Sequence, residues 1–357
     1  MSKLLNFTLL LLFMSISGCK EDKSLSWSIG SPLDKNLIKI GIIYVDKAES
    51  GYSQAHDLGI KEAQLKLNLR DDQIIRIFDV SDADSTLIEH NMNEAIKEGA
   101  NIIVATSWGQ MDACEKLSKK YTNVIFTHAS GYKINDRNFT NYFGRIYQAR
   151  YLSGIVAGLK TKTGKIGFVA AQGKSNSEVT GGLDAFAMGV ESVNPGAKIY
   201  VNVTYSWFDP PSEKLATQRL IKEGSDVIAQ HSNTAIPQIE AEKAGVWSVG
   251  YNTDMRRYAP NAVLTSVIWN WGIYYTSLIS NVIDGSFTTK PYFGGLEDGL
   301  VDISPLNKAL ATPDMESAVA DAKKRILTEN FKVFGSLSDF DIAQKINWYH
   351  SNIIELK

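Results

Sequence analysis

Apolar residues in this chain come in short unbroken runs, separated by stretches where they recur every three or four positions. LIKIGIIYV (37–45) is followed by SQAHDLGIKEAQLKLNL (53–69), QIIRIFDV (73–80), STLIEHNMNEAIKEG (85–99), NIIVATS (101–107), QMDACEKLSKKY (110–121) and NVIFTHAS (123–130). The short runs predict strands buried on both faces, and the longer period predicts amphipathic helices. Strands alternating with helices of this size predict βαβ units and a parallel sheet. ARYLSGIVAGLKT (149–161) is a longer apolar helix, placed to cross out of this first sheet. The rhythm then restarts with GKIGFVAA (164–171), GGLDAFAMGVESVNP (181–195), AKIYVNV (197–203), SEKLATQRLIKEG (212–224), DVIAQHS (226–232), AIPQIEAEKAG (235–245) and VWSVGYN (246–252). Two runs of this kind predict an α/β fold of two doubly wound parallel-sheet lobes. We assign residues 38–145 to an N-terminal lobe and 146–250 to a C-terminal lobe. Residues 251–357 supply segments that pass between the lobes and complete both, ending in the helix MESAVADAKKRILTEN (315–330) and a mixed tail.

Composition adds little until the N-terminus. A net charge of -2 with 21% charged residues argues against nucleic acid as the main partner. MSKLLNFTLLLLFMSISGC has Lys3, an apolar run from Leu4 to Ile16, and then Ser17-Gly18-Cys19. The run is short of the roughly 20 apolar residues that span a bilayer and follows the plan of a secretory signal. Small residues ending on Cys19 resemble a bacterial lipobox, so residues 1–18 are expected to be removed and Cys19 acylated. The alternative is an ordinary signal peptide with an incidental cysteine. Residues 19–37 then form a flexible polar tether to the membrane. Cys114, the other cysteine, falls in a helical pattern and is expected to be a buried small hydrophobe.

In open α/β sheets ligands sit beyond the carboxyl ends of the strands. DKAESGYSQAHDLG, after the first strand, puts Tyr52 and Ser53 at a helix start. TSWGQMDA carries Trp108, Met111 and Asp112, and YSWFDPP carries Trp207 and Phe208. YNTD carries Asn252 and Asp254, and VIWNWG carries Trp269 and Trp271. Each aromatic alone is better explained by packing. Together, on one rim, they suit a flat, uncharged, hydrogen-bonding ligand. Trp207 is expected to face that ligand and Phe208 to point into its lobe.

The stretches GYSQAHDLGI, ATSWGQMDA, NYFGRIYQARYLSGIVAGLKTKTGKIGFVAA, SWFDPPSEKLAT, VGYNTDMRRYAP, LTSVIWNWGIYY and GGLEDGLVDISP resemble the basic membrane protein family of bacterial substrate-binding lipoproteins, from about Ile38 to Phe334. The resemblance implies a periplasmic-binding-protein type I fold with three hinge crossings. It also implies a purine taken up with an ABC permease and ATPase. In nucleoside-binding members a Phe-Asn pair follows the first strand; here it is Tyr52-Ser53, which keeps the stacking aromatic. The second stacking aromatic falls on Trp207, and the base-binding Asp falls on Asp112, after Met111. An Asp that holds ribose falls on Asn252, and a ribose-side Lys on Trp269. The two ribose-side changes favour a free base, adenine first, with a nucleoside as the alternative and a sugar third.

An enzyme is the rival class, but G-x-S-x-G, the P-loop and H-E-x-x-H are missing from the sequence. His56, His90, His128, His231 and His350 show no metal-ligand spacing, so neither metal nor cofactor is expected. His128 and His231 end strands, where ligand contact is possible but structural roles are commoner. A surface receptor or adhesin without a transport role is the other rival. The protein is expected to be a monomer at the cell or outer membrane, facing the periplasm or exterior.

Overall fold

A computed structural model describes residues 27–339, 341–342 and 346–356. Residues 1–18, expected to be a signal sequence, and Cys19 lie outside the described residues.

Strands β1 (Ile40–Ile43), β2 (Ile74–Ile77), β3 (Ile102–Ala105), β4 (Ile125–Ala129) and β5 (Phe139–Gly144) alternate with helices α1 (Gly51–Leu67), α2 (Ser85–Lys97) and α3 (Met111–Lys120). β1 has the pattern IGII and is buried throughout, as expected of a strand covered on both faces. Helix α4 (Ile146–Lys160) leads to β6 (Lys165–Ala170), α5 (Ser177–Val193), β7 (Lys198–Val203), α6 (Pro210–Lys222), β8 (Val227–His231), α7 (Ile236–Lys243), β9 (Trp247–Asn252) and β10 (Val263–Trp269). Then come α8 (Gly272–Asp284), β11 (Tyr292–Gly294), β12 (Val301–Ile303), α9 (Pro313–Thr328) and β13 (Ile353–Glu355).

The strands form two sheets, ordered β11-β5-β4-β3-β1-β2 and β12-β10-β9-β8-β6-β7-β13. All pairings are parallel except β10 with β12. In the first sheet the strand order reverses at β1, and in the second at β6, so each lobe has a crevice at the carboxyl ends of its central strands.

The chain changes lobes at Arg145, at Asn270-Trp271 and between Gly294 and Val301. β9 and β10 pair within the second sheet, so the chain leaves the C-terminal lobe only after Trp269, not at residue 250. Segment 27–37 also differs from the flexible tether expected there. Leu33 is buried and its amide donates to the Val282 and Ile283 carbonyls at the end of α8. An apolar residue in a polar segment found a groove that only the folded lobe provides. β5, β11 and β12 are further additions: β5 mixes polar and apolar residues (FTNYFG) without an unbroken apolar run, and β11 and β12 have three residues each, too few to stand out from loop.

Helices α4 and α5 pack with no side chain between them at two points. A Cβ on Gly154 would lie 2.1 Å from the Phe186 carbonyl oxygen, and one on Gly189 would lie 2.1 Å from that of Tyr151. Glycine is required there by contact, which explains two glycines inside otherwise strong helices. Trp271 is fully buried at the second crossing, stacked between His56 and Trp269 at 4.5 Å from each. Gly189→Val should therefore force α4 and α5 apart and lower stability by about 1–3 kcal/mol. A urea midpoint equal to the wild-type value would contradict the close helix contact.

Candidate ligand-binding cleft

The two crevices face each other and enclose a cavity of about 260 Å³, walled by residues of both lobes. From the first lobe come Val45, Asp46, Tyr52, Asp82, Ser107, Trp108 and Ser130. From the second come Asn176, Glu178, Trp207, Asn233 and Tyr251.

Parallel strands deliver most of these groups at their carboxyl ends. Asp46 follows β1, and its Oδ2 accepts from Ser50 Oγ at 3.0 Å and from Asn233 Nδ2 at 3.1 Å. Partial burial pushes its carboxyl above the ordinary carboxylate range, against the lowering effect of those two bonds. Tyr52, in the first turn of α1, donates its hydroxyl to the Thr106 carbonyl at 2.9 Å and packs edge-on against His56. Its ring is thereby fixed from both ends. Asp82 accepts from the Ser107 hydroxyl and from the Gly109 amide.

On the opposite wall Asn176 caps α5 by accepting from the Val179 amide at 3.1 Å. Glu178 lies in the first turn of α5, and burial pushes its carboxyl up to about 7. Its neighbour His231 is 3.6 Å away and fully buried, which holds the imidazole well below its usual range and therefore neutral. Trp207 packs edge-on to His231 and against the C-terminal core. Tyr251 lies beneath the cavity, with the Arg150 guanidinium 4.1 Å from its ring centroid and the Trp269 indole donating to its hydroxyl at 3.3 Å.

The wall carries three carboxyl groups, neutral amides and hydroxyls, and no Lys or Arg. Such a surface accepts hydrogen bonds from ring or exocyclic N–H groups and offers nothing to neutralise a phosphate. A second cavity of about 780 Å³ continues from the first, sharing Trp108, Ser130, Asn176 and Glu178 and adding Asn141, Tyr132 and Phe293 among others.

Of the residues expected at the site, Tyr52, Trp108 and Trp207 line the cavity. The remainder do not. Ser53 is buried behind the wall, donating to the Asp46 carbonyl at 3.2 Å. Met111 is packed in the first lobe, its sulfur 3.4 Å from the Tyr132 amide. Asp112 is 79% exposed and paired with Lys133 at 2.7 Å. α3 buries Met111, Cys114 and Leu117, and that helical phase turns position 112 to the outside. Asn252 lies fully buried behind Asn233, and Trp269 is in the aromatic core behind Tyr251. Neither lines the cavity. Phe208, expected to point into its lobe, is half-buried and is not among the residues packed against the core clusters.

Asp46, Ser107, Ser130 and Asn233 were legible in principle, because each closely follows an apolar strand. Lacking an aromatic ring, they carry no contrast with ordinary loop residues. Glu178 and Asn176 could have been found from the N-cap of α5, had its start been placed at Ser177. Tyr251, the last residue but one of β9, stands in the YNTD stretch at that strand's end and carries the same signal as the other rim aromatics.

A family model described as ABC transporter substrate-binding protein PnrA-like matches residues 38–333. A purine-binding protein of Brucella abortus is 31% identical over 306 residues, covering 85% of each chain. A Haloferax volcanii ABC transporter protein, provisionally named for glucose binding, is 29% identical over 85% of this chain and 76% of its own. A nucleoside-binding ABC transporter protein of Lactococcus lactis is 25% identical over 66% of this chain and 72% of its own. Among solved structures, an ABC transporter solute-binding protein from Conexibacter woesei superposes with a TM-score of 0.69 at 18% identity, covering 85% of this chain and 99% of that one. That likeness carries the fold, a two-lobed α/β solute-binding architecture of periplasmic type I. With the family model spanning both lobes and the cavity between them, the chain belongs to the Bmp family of PnrA-like ABC transporter substrate-binding proteins.

Proposed function

We propose that this chain delivers a purine to an ABC importer, holding the base between Tyr52 and Trp207, with free adenine as the first candidate. The observation that carries this reading is a cavity between the lobes with two aromatics from each, Tyr52 and Trp108 from the first and Trp207 and Tyr251 from the second, and three hydrogen-bond-accepting carboxyls around it. A base stacks on the aromatics while its amino and ring N–H groups reach Asp46, Asp82 or Glu178. The Brucella relative named for purine binding supports the same ligand class. Asp46 takes the base-binding role that the sequence comparison placed on Asp112. The protein acts by binding and release, not by turnover, and is held to the membrane through lipid on Cys19.

A nucleoside is the second reading, and one observation favours it. Trp269 lies in the core, so it does not fill the space beside the base, and the cavity continues into the larger one. Calorimetric titration with adenine, guanine, hypoxanthine, adenosine, ribose and glucose decides between these. Adenine is expected to bind most tightly; tighter binding of adenosine establishes the second reading, and binding of glucose alone overturns the purine. Stacking on an aromatic contributes about 1–3 kcal/mol per base. Trp207→Ala should accordingly weaken adenine binding roughly ten- to a hundredfold, while Asp112→Ala leaves it unchanged.

Glu178 makes binding depend on pH. In the free protein its carboxyl titrates at about 7, so near neutrality it is partly protonated. Accepting an N–H from the ligand favours the ionised form, so protons are released and affinity rises as pH increases from about 6 to 8. Stability of the free protein runs the other way. A carboxyl raised from 4.5 to about 7 stabilises the fold when protonated, and this contribution falls as pH climbs between those values. Binding enthalpies in two buffers of different ionisation heat should diverge at pH 7 for the wild type and coincide for Glu178→Gln. Coincidence in both would remove Glu178 from ligand contact.

Lipidation is checked separately. Cys19→Ala should accumulate an unprocessed precursor without acyl chains; fatty-acid label retained by this variant would place the anchor elsewhere.

A further inference from the structure

Asn252 is fully buried and sits at the end of β9 with φ at 69°, the left-handed region that few non-glycine residues adopt. Its Nδ2 donates to Asn233 Oδ1 at 3.0 Å, and its own Oδ1 has no partner among the described residues. The side chain thus makes one hydrogen bond, to a residue of the cavity wall.

Asn233 is the group that bond orients. With its Oδ1 occupied by Asn252, the Asn233 amide must present Nδ2 in the other direction, where it meets Asp46 Oδ2 of the opposite lobe at 3.1 Å. The Asn233 carbonyl accepts from the Gly51 amide, also of the opposite lobe, at 2.7 Å. Gly51 is the first residue of α1, and the Ser50 N-cap makes no side-chain capping bond. One of the unfilled N–H groups that every helix start carries is therefore satisfied from across the cleft. The Asn233 amide in turn donates to the Trp207 carbonyl at 2.8 Å. A continuous chain of main-chain contacts runs from Tyr52 through Gly51 and Asn233 to Trp207, joining the two aromatic walls.

We propose that Asn233 is an interlobe latch and Asn252 the positioning residue that holds its amide in the latching orientation. Closure makes two bonds, Gly51 to Asn233 and Asn233 to Asp46, without any ligand atom. The latch therefore favours the closed arrangement in the unliganded protein, and it sets the spacing of Tyr52 and Trp207 before a base enters. Because Asn252 lies behind the wall, it acts on the ligand only through Asn233. The latch itself rests on lobe geometry; its effect on ligand release rests on the purine reading above.

Asn252→Gly isolates this role. Glycine adopts the same backbone conformation at no cost, so the strand end is preserved and only the amide is lost. Asn252→Asp is the complementary variant, since a carboxylate facing Asn233 Oδ1 turns that amide round and brings its oxygen against Asp46. Small-angle scattering of ligand-free protein should give a larger radius of gyration for both variants than for the wild type, with thermal midpoints preserved for Asn252→Gly. In stopped-flow tryptophan fluorescence, adenine should leave Asn252→Gly about five- to tenfold faster. Superimposable scattering profiles for wild type and both variants overturn the latch, whatever the titrations give. If scattering changes as expected but adenine binds neither protein, the latch stands and the ligand assignment fails.

Discussion

The Gly51 amide and the Asn233 carbonyl meet at 2.7 Å across the cleft, and the geometry of the site follows from that contact. Gly51 precedes Tyr52, and Asn233 is bound through its own amide to Trp207, so one hydrogen bond relates the two aromatic walls. It can form only because both lobes are doubly wound and present the carboxyl ends of their central strands to each other. At Gly51 the strand order of the first sheet reverses and a helix begins with an unfilled N–H; at Asn233 a strand has just ended in the second. The parallel-sheet topology thus places a donor of one lobe against an acceptor of the other.

Behind this contact the site is electrostatically one-sided. Three carboxyl groups reach the cavity, whereas the nearby basic groups stand back from it. Arg150 is fully buried under Tyr251, donating to the Gln230 carbonyl at 2.6 Å, and desolvation lowers its guanidinium to about 10, still charged at neutral pH. His231 is kept neutral by the same burial and by the Arg150 charge. The cavity thereby offers acceptors at its surface, with a positive charge set one ring deeper. Such an arrangement discriminates by hydrogen-bond polarity: donor-rich neutral ligands are favoured and anions are repelled.

The hinge is built from different material. Trp269, Trp271, Phe143 and Tyr142 form a contiguous aromatic cluster where the chain changes lobes, and Tyr275 joins it through hydroxyl bonds to His56 and Tyr142. Large rings with few rotamers give a stiff pivot, so relative motion of the lobes is confined to the short crossings themselves. Arg145 adds a charged strap over the first crossing, reaching Glu297 at the third and Asp339 in the C-terminal segment. Rigid lobes on a stiff pivot make one closed geometry, and so one cavity shape, strongly preferred.

The alternation of apolar runs and amphipathic stretches was sufficient for the two α/β lobes, because strand and helix periods are local properties of the chain. The rule that ligands lie beyond the strands' carboxyl ends locates the cleft, and it is enough to put Tyr52, Trp108 and Trp207 on the wall. Side-chain direction was beyond its reach. Asp112 and Met111 are adjacent in sequence, yet helical phase sends one to solvent and the other to the core. Trp269 closes β10 and Trp207 follows β7, yet the first ends in a stack that exists only after α8 has packed on α1. Asp46, Glu178 and Asn233 are ordinary polar residues in the sequence. Their importance comes from convergence, since they lie far apart along the chain and acquire a common environment only when two sheets face each other. Periodicity therefore determined the elements and their order, while the tertiary structure decided which side chains share the cavity, because that depends on contacts between distant segments.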